Sequence, residues 1–368
     1  MTRYITATVI YRGHALNRDE KVGGNILSVK KLSLEDGIHT FISRVSLRHH
    51  LFQTLLRAHD GKPPWEPAPV EVSGSGDKKV IQFDLDNASI LTHAELDLFG
   101  YMLTKESRKG SKKGKAAEEK EGTSSETATE SSLRRKAVVG ITKAVSIAPY
   151  GGDLAFYANH DLLERSFLTD PSATPNPYSK EEHYSYYKVS FVIDVLRLGV
   201  DEWVGSDLPK AQEAPEQGRI QPTPSGKRFI VHENKRQERL DSVLDAIKGG
   251  LFVQSSGELN TLVPHFLAIA FVKVPAPILE PYVYWPPDRP YEGGGFCMPF
   301  EPYALNSPWY ISKADRGGVY LEGVYQGKLL KTCMEAKQNE IIETWEDLKD
   351  RAAEAIKDTQ RLIESAIF

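Results

Sequence analysis

Cysteine is nearly absent here: two in 368 residues, Cys297 and Cys333. Two thiols give neither a disulfide framework nor a zinc spacing, so a reducing cytoplasm is the expected location. No run approaches the ~18 apolar residues that a membrane helix needs. The opening "MTRYITATVIYRG" lacks the basic, apolar, small-residue order of a secretion signal and reads as a strand. Glycine-rich phosphate loops are missing too. "GGNILS" and "GGGF" have neither the spacing nor the strand–loop–helix context of a nucleotide-binding fingerprint. Serine, histidine and aspartate are plentiful, yet no nucleophile elbow occurs. No cofactor, metal centre or hydrolytic site is therefore expected. His49 and His50 are adjacent and point about 100° apart on a helix, too divergent to share a metal. His93, Glu95 and Asp97 in "THAELD" fit neither a helical nor a strand ligand set.

What is present is an uneven distribution of charge. The formal net charge is −4, but residues 1–62 carry ten Lys/Arg against five Asp/Glu, and five of the ten histidines. An acidic chain with a basic local surface can still bind nucleic acid.

The hydrophobic pattern outlines six main elements: β over 3–12, α over 43–59, β over 137–147, β over 183–197, α over 233–248 and β over 265–274. This βαββαβ order predicts an α+β, ferredoxin-like fold, the topology of RNA-recognition motifs. Two helices should lie on one face of an antiparallel sheet, leaving the other face for insertions or a ligand. Residues 104–136 contain no aromatic and one leucine, which predicts a mobile loop. A Pro/Gly/acid-rich connection covers 199–227. Nine prolines interleave with aromatics over 275–309, the composition of an extended arm packed on the core. From Asn339 to Phe368 apolar residues recur in alternating steps of three and four, predicting a helix.

The densest basic cluster is "TFISRVSLRHH", residues 40–50. Ser43 is placed to cap the helix. Leu47, Leu51, Phe52, Leu55 and Leu56 form its apolar face, and Arg44 and Arg48 share another. A capped helix start offers free N–H groups and a positive dipole end, and arginine adds planar forked donors. Phosphate suits this combination. The preceding loop brings Asn17, Arg18, Gly23, Gly24 and Asn25. A solvated helix face explains the same residues.

Loop and helix together, "ALNRDE…GGN…TFISRVSLRHHL", resemble the N-terminal signature of the backbone subunit of type I CRISPR surveillance complexes (Cascade), in the repeat-associated (RAMP) superfamily. "LDLFGYM" and "KAVSIAPYGGD" match in order, and the flavour is that of the type I-B, DevR-like branch. Coverage is about residues 3–274. The resemblance implies a non-catalytic palm with finger and thumb insertions. Copies stack along the spacer of a guide RNA (crRNA) and present it for pairing with target DNA beside other Cascade subunits.

On this reading the palm comprises 1–61, 137–147 and 187–274, with an insertion at 199–227. The finger is 62–136, the thumb 148–186, and an arm with a C-terminal helix fills 275–368. The resemblance implies RNA contact at Asn17, Arg18, Gly23, Gly24, Asn25, Lys30, Ser43, Arg44, Arg48, His49, Met102, Lys143, Ser146, Ser255 and Ser256. Tyr150, Gly151, Tyr184 and Tyr186 belong to the thumb and its base. Val45 departs from the polar residue of close relatives, and Tyr101 stands where they have arginine. Related type III subunits cut RNA with an aspartate in the loop before the helix. Here Lys30 and Lys31 occupy that region, which argues against cleavage. Two alternatives remain: a repeat-processing endoribonuclease with His49 or His50 as general base, and a DNA-binding transcriptional autoregulator.

Overall fold

The computed structural model describes residues 4–364 apart from 16, 20–25, 74–78, 105–131, 168, 171, 173 and 256–257. In chain order the elements are β1 (Tyr4–His14), β2 (Ile26–Leu27), β3 (Lys31–Leu34), β4 (Gly37–Ile42), α1 (Arg44–Ala58), β5 (Val70–Ser73), β6 (Val80–Phe83), α2 (Ala94–Phe99), β7 (Tyr101–Thr104) and β8 (Ser132–Arg135). Then come β9 (Val139–Ile141), β10 (Ala144–Ser146), β11 (Leu154–Tyr157), α3 (His160–Ser166), β12 (Tyr178–Glu181), β13 (Tyr184–Asp194), β14 (Val200–Val204), β15 (Gly218–Thr223), β16 (Gly226–Val231) and α4 (Glu233–Gly249). The last are β17 (Leu251–Ser255), β18 (Glu258–Leu262), β19 (Pro264–Val272), β20 (Val319–Tyr325), β21 (Lys328–Leu329), β22 (Ile341–Ile342) and α5 (Trp345–Glu364). The fold is α+β, and the chain divides into two compact units. One comprises 1–60, 138–198 and 233–368, the other 61–137 and 199–232.

The first unit is built on a sheet ordered β21–β20–β19–β1–β13–β10–β4–β3. β1 lies at its centre, antiparallel to both β13 and β19. The strand expected over 137–147 is split. Ile141 pairs with Phe191 and Val145 with Lys188, so one extra residue bulges out between them. Thr142 fills the gap, its hydroxyl accepting the Ser190 N–H at 2.9 Å. Helices α1 and α4 pack together and against the sheet. Leu47, Leu51 and Leu55 of α1 and Leu240, Val243, Leu244 and Ile247 of α4 are buried.

The opposite face carries the proline-rich arm, packed on the core as its composition predicts, and so is not open to a ligand over most of its extent. Leu279, Val283, Trp285, Phe300, Ala304, Leu305 and Tyr310 of the proline-rich arm lie on Ile10, Phe266, Ala268 and Ala270. Lys188, which alternation turns outward, is tied to this cover. Its ammonium donates to the carbonyls of Glu280 (3.1 Å) and Val283 (3.3 Å) and pairs with the Glu280 carboxylate at 3.0 Å. The two cysteines, too few for a framework, nonetheless form a disulfide, Cys297–Cys333. The arm returns beside 331, where Met298 N–H donates to the Lys331 carbonyl at 2.8 Å, and this brings the thiols together.

The C-terminal helix begins later than expected. Ile341–Ile342 pair in parallel with β20, and Thr344 then caps α5, accepting from Asp347 N–H at 3.0 Å. Leu348, Ala352, Ala355, Ile356 and Thr359 are buried on the same chain. Arg236 of α4, itself buried, donates to Thr359 Oγ1 (3.0 Å), Gln360 Oε1 (2.8 Å) and the carbonyls of Val195 and Leu198.

The second unit gathers the two stretches at 62–136 and 199–227 around one core of Leu85, Ile90, Leu91, Leu96, Tyr101, Leu103, Trp203, Phe229 and Val231. Most of the expected mobile loop, 105–131, lies outside the described residues. Its end does not fit a loop. Ser132–Arg135 form β8 against β7, because Arg135 is drawn into the core by Asp97. Asp97 is 0% exposed. Its carboxylate takes the Arg135 guanidinium at 2.5 Å and the Gly199 N–H at 2.9 Å.

Candidate nucleic-acid interface

Ser43 caps α1 as its sequence position requires, with extended backbone and its hydroxyl accepting the Ser46 N–H at 3.3 Å. The Ser43 N–H is itself held by Asn17 Oδ1 at 2.7 Å, which fixes the loop against the helix start. No acid lies in the first turn, so the positive end of the dipole is left uncompensated. Arg44 is exposed and has no ion pair among the described residues. Val45 is exposed as well. Arg48 is half-buried one turn on, and His49 is exposed.

His50 is not poised as a base. Its Nε2 lies 3.2 Å from Ser46 Oγ, and burial, helped by the neighbouring His49, lowers its pKa to about 4.

The loop before the helix is pinned from below by β12. Arg18 donates to the Glu181 carbonyl at 2.7 Å and lies 3.6 Å from the Glu182 carboxylate. Glu181 also accepts the Val29 N–H at 2.9 Å and pairs with Lys31 at 2.6 Å. Lys30 pairs with Asp19. Arg18, Lys30 and Lys31 thus have their charges matched, while Arg44 does not. Gly23, Gly24 and Asn25 lie outside the described residues. Sequence inspection missed Glu181 because its partners are some 150 residues away.

Beyond the loop, β2, β12 and β11 form a small sheet, with β2 parallel to β12. Leu154, Phe156, Leu162 and Phe167 are exposed in this segment. Tyr150 N–H donates to the Ile38 carbonyl at 2.6 Å, and Lys31 Nζ lies 5.2 Å from the Tyr150 ring. Gly151 is exposed beside it. Lys143 is exposed at the bulge, 5.8 Å from the Phe41 ring. Ser146 is buried. Its hydroxyl donates to the Ala148 carbonyl at 2.9 Å and accepts the Thr40 N–H at 3.1 Å, so it serves the sheet. Ser255 ends β17, and Ser256 lies outside the described residues.

Met102 belongs to the second unit. It is 61% exposed on β7, while its neighbour Tyr101 turns into the core. There the Tyr101 hydroxyl donates to Asp201 at 2.6 Å and accepts from Trp203 Nε1 at 2.5 Å. Strand alternation, with Tyr101 anchored inward, is what presents Met102.

Three clusters resemble catalytic or metal sites without the required geometry. Asp36, His39 and Ser146 line up, His39 Nε2 lying 2.9 Å from Asp36. But Nδ1 meets the Ser146 carbonyl at 2.6 Å, and the hydroxyl is already donated elsewhere. Next to it, Thr40 Oγ1 joins His183 Nδ1 (2.8 Å) and the Tyr187 hydroxyl (2.7 Å). Burial lowers the His183 pKa and pushes Tyr187 up to about 12, so this network is neutral. His14, Glu182 and Glu258 converge within 4.8 Å, but Lys180 already bridges the two glutamates at 2.9 and 2.5 Å. The Lys180 ammonium thus already compensates both carboxylates.

The family model described as "CRISPR-associated negative auto-regulator DevR/Csa2" matches residues 5–285. The chain is similar to the "CRISPR-associated protein Cas7/Cst2/DevR" of Myxococcus xanthus (strain DK1622), 27% identical over 198 residues, 50% of this chain and 56% of that protein. The match thus spans little more than half the length of that curated relative. Two solved structures are also similar. One, titled "CRISPR RNA-guided surveillance complex", has 12% identity and a TM-score of 0.44 over 96% of this chain and 99% of that one. The other, titled "CRISPR RNA-guided surveillance complex, pre-nicking", has 11% identity and a TM-score of 0.46 over 96% and 100%. With the family model covering most of the chain, from the first strand into the proline-rich arm, this protein belongs to the DevR/Csa2 family of CRISPR-associated proteins.

Proposed function

We propose that this chain is a non-catalytic, guide-RNA-binding backbone subunit of a type I CRISPR surveillance complex. Several copies stack along the spacer of the guide in the cytoplasm and hold it for pairing with target DNA, beside the other subunits. The observation that carries this reading is the capped start of α1. Its first turn is free of acids, and Arg44 stands there exposed and unmatched, inside the stretch matched by the family model. A phosphodiester is the ligand that free N–H groups, a dipole end and a guanidinium accept together.

In this reading the first unit is a ferredoxin-like palm of the RNA-recognition type. The sheet order β19–β1–β13–β10, with α1 and α4 as crossovers, supports that assignment. Because the arm covers one sheet face, the guide follows the loops at the sheet edge. The second unit is the finger, with Met102 as its apolar wedge. Residues 148–186 form the thumb, whose exposed Leu154, Phe156, Leu162 and Phe167 supply an apolar surface for the next copy. Arg44, Arg48, His49 and Lys143 contact the backbone. Asn17, Arg18 and Lys30 hold the loop that presents them.

The test is purification of the chain with its native companions, followed by sizing of bound nucleic acid. A discrete small RNA carrying several copies of the chain is expected. Arg44→Ala should flatten the dependence of log K on log salt by about 0.7, one phosphate contact on a single strand. An unchanged slope would remove Arg44 from the interface. Cleavage of repeat RNA by the isolated chain, lost in His49→Ala, would favour an endoribonuclease instead.

A further inference from the structure

The cover on the sheet is incomplete. Along β1 and β13 the outward positions on the arm's side are Ile10 opposite Lys188, Arg12 opposite Tyr186 and His14 opposite Tyr184. The arm reaches as far as Tyr186, whose ring lies 5.1 Å from Trp285 and 5.4 Å from His265. Beyond it the cover stops. Tyr184 is 50% exposed and Arg12 is exposed. The Arg12 guanidinium carbon lies 4.6 Å from the centre of the Tyr184 ring and 5.4 Å from that of Tyr186. The His14 ring lies 4.6 Å from Tyr184 on the same strand end. Arg12 has no ion pair or hydrogen bond among the described residues; its neighbours are rings.

We infer that Arg12 and Tyr184 form a stacking shelf for an unpaired nucleobase of single-stranded RNA, an inference that rests on the guide-binding reading above. Three features select a base over a phosphate. The guanidinium is already laid against a ring, which pre-organises a plane for a third flat group. The neighbouring charges are mixed, since His14 Nδ1 lies 3.9 Å from Glu182, whose carboxylate is shared with Arg18 and Lys180. With the Glu182 carboxylate at its border, this site suits a phosphodiester less well than the acid-free start of α1 does. Finally, the shelf is continuous with the helix start. β1 ends at His14, and Asn17, three residues on, holds the Ser43 N–H. Arg12 and Asn17 are five residues apart, so at most about 17 Å of chain separates them. One strand of RNA can therefore place its backbone at α1 and a base on the shelf.

The experiment compares wild type, Arg12→Lys, Tyr184→Ala and Tyr184→Phe on two probes, an oligouridylate and the same oligomer with abasic riboses, across a salt series. On the oligouridylate, Tyr184→Ala should bind at least about fivefold more weakly, the low end of the loss for one base stack. The salt slope should not change. Arg12→Lys should also weaken binding although its charge is kept, because the ammonium is not planar. Tyr184→Phe, which keeps the ring and checks folding, should match wild type. On the abasic probe all four should bind alike. Arg12→Lys and Tyr184→Ala both matching wild type on the intact oligomer would overturn the shelf, as would equal losses on the abasic one. Either result, with Arg44→Ala still flattening the salt slope, leaves the guide-binding reading standing. A wild-type chain that binds neither probe would sink both.

Discussion

Replacing Asp97 by alanine should destabilise the second unit by about 4 kcal/mol. The figure follows from what the carboxylate holds. Asp97 takes the Arg135 guanidinium at 2.5 Å and the Gly199 N–H at 2.9 and 3.0 Å, with Asp97 0% exposed and Arg135 6%. Removing one partner of a buried pair costs about 3–5 kcal/mol, because the other charge is left uncompensated. Asp201 remains 3.5 Å from Arg135 and still shields it, which puts the pair at the lower end, about 3 kcal/mol. The orphaned Gly199 N–H adds about 1 kcal/mol. Arg135→Met in the same background removes the stranded charge, so the double variant should cost no more than the worse single one, a coupling of at least about 2 kcal/mol. Urea unfolding followed by amide hydrogen exchange reads both the size and the location. Amides of β7, β14 and β16 should lose protection, and those of β1 and β13 should keep it. A loss below about 1 kcal/mol, or additive single and double variants, would refute the network argument.

Three further outcomes follow from the first unit. Ser43→Ala should cost about 1 kcal/mol through loss of the helix cap, read as a shifted urea midpoint at unchanged slope. Thiol reduction, or Cys297→Ser, should lower stability by up to about 4 kcal/mol for a loop closed over 36 residues; a melting temperature that ignores reductant would mean the bond does not form in solution. His50 has a folded pKa of about 4 against an ordinary 6.5, so between these values the unfolded chain binds a proton that the folded chain does not. Stability should therefore fall as pH drops from about 6.5 towards 4. His50→Gln should make that fall shallower, and identical pH profiles for the two proteins would show that His50 does not contribute.

Much of the scaffold was legible because its signals are local. Alternation in "RYITATVIYR" marked β1, the leucine spacing and Ser43 marked α1, and the pattern of 233–248 marked α4. The interruption at Thr142 was not legible, since a bulge depends on the register of β13 and not on the composition of 137–147. β8 was hidden in a low-hydrophobicity run, because the force that orders it is one buried arginine whose carboxylate partner is 38 residues away. The pairing of Cys297 with Cys333 likewise depends on where the arm returns.

The candidate site divides along the same line. Sequence by itself determined that a capped, acid-free helix start carries Arg44, since this is a fact of near neighbours along the chain. Only the tertiary structure decided which charges stay available. Glu181 and Glu182 engage Arg18 and Lys31, Ser146 is sealed inside the sheet, the arm closes most of one sheet face, and Arg12 and Tyr184 are left at its open end. The physical reason is that availability is a property of partners in space, and those partners lie far away in sequence.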